Sequence, residues 1–175
     1  MHFKKHAFIL GIIEGLHRRG SWTGKTHVQK ALSLLQDRSR LNEPFQFVLY
    51  KHGPYSFEVE SELEQMQSYG AIRVEPNAEG YGVVLCLDDK ADFVRQVAPL
   101  SSKEHELIDA VCNFVGRRNV TELESLATAS WIRNQEGVTD SAAVVERLNS
   151  LKPHISLLQA EQANEEILTW LAHLN

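Results

Sequence analysis

The segment Arg19-Gly20-Ser21-Trp22-Thr23-Gly24-Lys25-Thr26 has the residue types of a phosphate-binding loop. In such a loop, backbone N–H groups cradle phosphates, a lysine reaches them and a hydroxyl holds the metal. The spacing denies it. The motif needs four residues between its first glycine and Gly-Lys-Thr, and Gly20 leaves three. It must also follow a strand, whereas the apolar spacing upstream predicts a helix. Among eight histidines, His2 and His6 are four apart and could share a helix face. They lack a nearby third ligand, and zinc needs three or four converging ones. Asp88-Asp89-Lys90 offers two carboxylates, but neighbours on a strand point to opposite faces. No Ser/His/Asp or Cys/His arrangement has a diagnostic spacing. The expectation is therefore a non-enzymatic chain with no catalytic residues, no metal and no cofactor.

Charge carries more information. The 175 residues have a formal net charge of −5, which taken alone disfavours nucleic acid as a partner. Yet residues 1–55 hold nine basic groups against three acidic ones, and the acidic excess lies downstream. Such clustering is the first footprint of an anion-binding face. The candidate nucleic-acid contacts are Lys25, Lys30, Arg38, Arg40, Lys51 and His52. The last two precede a predicted helix N-terminus, where an anion site can form. The helix expected over residues 57–69 points the other way, with Glu58, Glu60, Glu62 and Glu64 and no Lys or Arg. Carboxylates facing phosphates repel, and phosphate neutralisation dominates DNA affinity. Those four glutamates are the candidate contacts for a basic protein partner instead, or else a solvated face.

The elements that would position these residues follow from periodicity. A helix is predicted from about His6 to Arg19, with Phe8, Ile9, Ile12, Ile13 and Leu16 on one stripe. A second runs from about Lys25 to Asp37, started by Thr23 or Gly24. Phe45 to Tyr50 reads as a strand, ended by Gly53 and Pro54. Ser56 caps the third helix. Ala71–Glu75 and Tyr81–Leu87 form a hairpin about a Pro76–Gly80 turn. Helix, helix, strand, helix, hairpin is the element order of a winged helix. Residues 88–100 read as a polar crossing with a helical turn or more. The rest reads as helical. Ser101/Glu104 and Thr121/Glu124 fit capping boxes, Ser141 to Leu151 forms a helix, and Ser156 opens a last one reaching Leu174. The fold expected is α+β: a winged-helix-like domain over 1–97 and an all-α domain over 98–175.

Hydrophobic residues make up 43%, enough for a core, and no run approaches the ~20 apolar residues of a membrane span. The apolar stretch Ala7–Ile13 lacks a small-residue cleavage site and continues into Glu14 and Arg18-Arg19, so it reads as a core helix rather than a signal peptide. Cys86 and Cys112 are in no metal or disulfide spacing, which points to a reducing, cytoplasmic setting.

Phe45 to Ile72, with its aromatic strand, Gly53-Pro54-Tyr55-Ser56 turn, following helix and Gly70, resembles the YwgA-like family of bacterial proteins. Val28-Gln29-Lys30 is similar to that family's Lys-Leu-Gln-Lys pattern, from which His27 and Val28 depart. Ala127–Trp131 and Lys152–Ser156 also look family-like, and the helix–Gly-Pro–helix layout is distantly similar to the Panacea antitoxin domain. The resemblance covers about residues 6–87. It implies a winged-helix-like domain and a regulator, antitoxin-like factor or interaction module, with no catalytic residue to carry over. Two functions are thus expected: a DNA-binding regulator using the basic N-terminal face, or a protein-interaction module using the acidic helix. A homodimer is compatible with either.

Overall fold

A computed structural model describes residues 2–39, 41–78, 80 and 82–172. The chain is α+β and mostly helical. Among the described residues the helices are α1 (Phe3–Arg18), α2 (Lys25–Arg38), α3 (Phe57–Ser68), α4 (Ala91–Val97), α5 (Ser102–Val115), α6 (Val120–Asn134), α7 (Ser141–Leu151) and α8 (Leu157–Ala172). Two antiparallel hairpins complete it: β1 (Val48–Tyr50) with β2 (Gly53–Tyr55), and β3 (Ile72–Pro76) with β4 (Val83–Leu87). After residue 97 only helices occur among the described residues. The Leu174 end of the last helix, Arg40 and the Tyr81 start of the second hairpin strand lie outside them.

Helices α1 and α2 are the centre. Ile9, Ile12, Ile13 and Leu16 of α1, with Val28, Ala31, Leu32 and Leu34 of α2, are fully buried. The buried side chains before and after residue 97 belong to one contiguous hydrophobic cluster. Two glycines set how closely α1 lies on α5. A Cβ on Gly11 would stand 2.8 Å from Ile108 Cδ1, and one on Gly15 would stand 2.7 Å from Cys112 Sγ. A larger residue at either position would force the helices apart or overpack the seam.

Most local signals act as expected. Gly24 is the residue before α2, Ser56 Oγ accepts from the Val59 N–H, and Ser101 with Glu104 forms a reciprocal capping box. Three expectations are corrected. Phe45–Phe47 is outside the strand: Gln36 ties Phe45 at both its N–H and its carbonyl, which uses up the groups a ladder would need. Gly53 and Pro54 do not end a strand but begin one, pairing with Tyr50 and Leu49. Proline is tolerated there because a two-stranded sheet asks for no second ladder. Thr121/Glu124 is not the capping box of α6. Asn119 and Glu122 are, and Glu124 is buried.

The Lys51-His52 turn explains Gly53. No described non-glycine residue has a positive φ, so the turn is not of the mirror-image kind usual in two-residue hairpins. Gly53 supplies the left-handed step, at φ +85°. It also lets β2 lie directly on α6, since a Cβ there would stand 2.8 Å from Thr128 Oγ1.

Candidate functional site

The β1–β2 hairpin is held from three sides. Gln29 of α2 brackets Ser56: its Nε2 donates to the Ser56 carbonyl and its Oε1 accepts from the Ser56 N–H, each at 2.9 Å. Lys30 Nζ donates to the Pro54 carbonyl at 2.8 Å. Lys152, in the α7–α8 connection, donates to the Lys51 carbonyl. Beneath the hairpin, Glu124 of α6 is 2.8 Å from Lys152 Nζ, an ion pair whose geometry leaves Glu124 Oε1 without a hydrogen bond. Its other oxygen is 3.5 Å from His154 and 3.8 Å from His52. Burial works to raise the Glu124 carboxyl, but Lys152, His154 and His52 outweigh it and hold it low. Burial pushes Lys30 down to about 8, with Glu124 opposing and Lys152 assisting. Four stretches singled out in the sequence, at Val28–Lys30, Gly53–Ser56, Ala127–Trp131 and Lys152–Ser156, therefore converge on one hub.

Above this hub lies a cleft of about 310 Å³, lined by Lys25, Gln29, Lys30, Tyr50, His52, Gly53, Tyr55 and Glu60 among others. Its rim is aromatic. Tyr50, Tyr55 and Phe57 contact one another with ring centroids 5.1–5.8 Å apart. Tyr50 and Phe57 are 58% and 62% exposed, and Val48, on the same strand as Tyr50, is 46% exposed. Lys25 and Glu60 form an ion pair at this rim, and the Tyr55 hydroxyl donates to Glu60 at 3.3 Å.

The expected basic face is changed by the fold. Lys30 is 2% exposed, so it is a buried structural amine and not a phosphate contact. Lys25 is paired with Glu60, and the Arg38 guanidinium stacks 4.0 Å over Trp170. Lys51 and His52 are exposed at the hairpin tip. Arg40 lies outside the described residues. Other early cations are also matched: Lys4 with Glu104 at 2.8 Å, Lys5 with Glu58, and Arg19 with Asp109 at 2.5 Å.

The glutamates of the acidic helix are placed as follows. Glu58 and Glu62, one turn apart, both face α1. Glu58 takes Lys5, and Glu62, 3% exposed, accepts from His6 Nε2 at 2.5 Å. Glu60 takes Lys25, and Glu64 is exposed. Between the two candidate sets only Lys25 and Glu60 meet; Glu58 and Glu62 take Lys5 and His6 instead, and Lys51, His52 and Glu64 stay exposed.

The aromatic rim is dispersed over three elements in the sequence. Tyr50 reads as part of a strand, Tyr55 as part of a turn and Phe57 as the start of a helix. The available signal was three aromatics within eight residues around Gly53-Pro54. The pairing of Glu124 with Lys152 gave none, since it spans 28 residues and depends on tertiary packing. Among the described residues no group of three or more His, Cys, Asp or Glu side chains is placed to hold a metal ion, and no helix is long and apolar enough to cross a membrane. No family model matches the chain, and no curated protein matches it.

Proposed function

We propose that the chain is a non-enzymatic protein-binding module whose contact surface is the aromatic rim of the β1–β2 hairpin. The observation that carries this is the exposure of Tyr50 and Phe57 on a hairpin fixed by Gln29, Lys30 and Lys152. Grouped aromatics left in water mark contact sites, and rigid ones lose little entropy on binding. Because Lys25 and Glu60 neutralise each other beside them, the partner face suited to this surface is apolar at its centre and near neutral around it.

In this reading α1, α2, α3 and the β3–β4 hairpin have the order of a winged helix turned to protein contact. In DNA-binding use, α3 would enter the groove. Its carboxylates and its lack of Lys and Arg weigh against that role, as does the matching of Lys4, Lys5, Arg19 and Lys25 by carboxylates. We place the module in the cytoplasm, where the unpaired Cys86 and Cys112 stay reduced.

Site-directed photo-crosslinking tests the reading. With p-benzoylphenylalanine in place of Phe57, irradiation of the native cells is expected to give one discrete adduct. Adding Tyr50→Ser removes it, and the same probe at exposed Ser68 does not give it. Absence of a discrete adduct at position 57, or an identical adduct from position 68, would overturn the proposal.

A further inference from the structure

A second surface, sharing no residue with the hairpin, lies between α7 and α8. The groove has a volume of about 950 Å³. Its apolar lining comes from Ala142 and Val145 of α7 and from Leu157 and Leu168 of α8. Leu157 is 58% and Leu168 41% exposed, so the groove leaves leucines in water rather than burying them in the core. The spacing is helical on both walls, three residues on α7 and eleven on α8, so each helix presents a stripe along the groove.

The polar part of the lining is acidic. Glu146, Glu161 and Glu165 line the groove, and among the described residues no lysine or arginine does. The nearby Arg133 is bonded to Asn164 Oδ1 and Ser141 Oγ, and Arg147 is paired with Glu136. These three carboxylates therefore differ from Glu58, Glu60 and Glu62 of α3, which have internal counter-ions.

We infer that this groove docks a basic amphipathic helix of a partner protein. A helix laid between two helices inserts apolar side chains at i, i+3 or i+4, and i+7. Its lysines or arginines, flanking that stripe, then meet Glu146, Glu161 and Glu165. An acidic or neutral helix would find the same leucines but would leave the three carboxylates desolvated or repelled. An anionic nucleic acid or an anionic lipid surface is repelled by the same groups. Charge complementarity thus selects the occupant, and the exposed leucines supply the contact area.

The probe is a fluorescein-labelled 15-residue helical peptide with leucines on one face and lysines flanking them. Two controls are a scrambled peptide of the same composition and a version with glutamate for lysine. Fluorescence anisotropy with the full chain is expected to give saturable binding of the first peptide alone. Glu146→Lys, Glu161→Lys and Glu165→Lys together should weaken it at least about tenfold. Leu168→Glu, at a position 41% exposed, should do the same. Tyr50→Ser should leave it unchanged, which separates this surface from the hairpin. Equal binding of the scrambled or acidic peptide, or unchanged binding to the charge-reversed chain, would overturn the inference. So would sedimentation showing that a second copy of the chain occupies the groove and excludes the peptide.

Discussion

Glu124→Gln is expected to destabilise the protein by about 3–5 kcal/mol, read as a drop in the urea midpoint. The side chain keeps its shape and its capacity to hydrogen-bond, so the loss isolates the charge. Glu124 is the carboxylate beside two buried ammonium groups, Lys152 at 4% exposure and Lys30 at 2%. Removing one partner of a buried ion pair leaves an uncompensated charge in a medium that solvates it poorly. Here a single substitution orphans two. Lys152→Met should cost less, because Lys30, His52 and His154 remain beside the carboxylate. The damage should reach the hairpin first, since Lys30 and Lys152 hold the Pro54 and Lys51 carbonyls. A Glu124→Gln protein as stable as the wild type would mean that this hub does not anchor the aromatic rim.

Glu62→Leu is expected to cost about 3 kcal/mol, and the double variant with His6→Phe to recover most of it. His6 is fully buried on α1, and Glu62 is 3% exposed on α3. Burial lowers the His6 pKa from 6.5, against the pull of Glu62, so the ring is neutral near pH 7. Its Nε2–H then donates to Glu62, and Nδ1 accepts from the Tyr69 hydroxyl at 2.9 Å. Burial and the Glu62 charge push Tyr69 up to about 12, so it remains a donor. Every polar atom of the ring is satisfied, and deleting the carboxylate strands a buried N–H. The same pKa fixes the pH dependence. The folded value lies below the unfolded one, so the unfolded chain takes up the proton first as pH falls below 6.5. Stability present at neutral pH is lost progressively from there downward. His27, also lowered by burial, adds to the trend. The double variant should show a shallower decline between pH 7 and 5. An unchanged slope would contradict the assignment of His6 as a neutral buried ring.

The sequence and the structure agree where the information is local. Periodicity located α1, α2, α3 and α7, and the caps at Ser56 and Ser101 depend only on residues three apart. The prominence of Gly53-Pro54-Tyr55-Ser56 was also legible, because glycine and proline restrict the backbone whatever surrounds them. Its meaning was not. Gly53 starts a strand because β2 must lie against Thr128, a contact made across 75 residues. The two charged sets were visible one at a time, as a basic third and an acidic helix. That Lys5, His6 and Lys25 would meet Glu58, Glu62 and Glu60 depends on how α3 packs against α1 and α2. Capping arithmetic also erred at Glu124, where Thr121 offered a plausible box and Asn119 a better one, freeing Glu124 for the hub.

The proposed use of the hairpin rests in part on Lys4, Lys5, Arg19 and Lys25 being paired, and Lys30 buried, within the fold, which leaves Arg18 and Lys51 exposed. Titration of a fluorescein-labelled DNA duplex with the full chain, followed by anisotropy in 50 mM salt, tests this directly. With Lys4, Lys5, Arg19 and Lys25 matched by carboxylates and Lys30 buried, no saturable binding is expected up to tens of micromolar. Micromolar binding that weakens steeply, by about a thousandfold or more between 50 and 200 mM salt, would contradict it, because that dependence requires several cations free to displace counter-ions from phosphates.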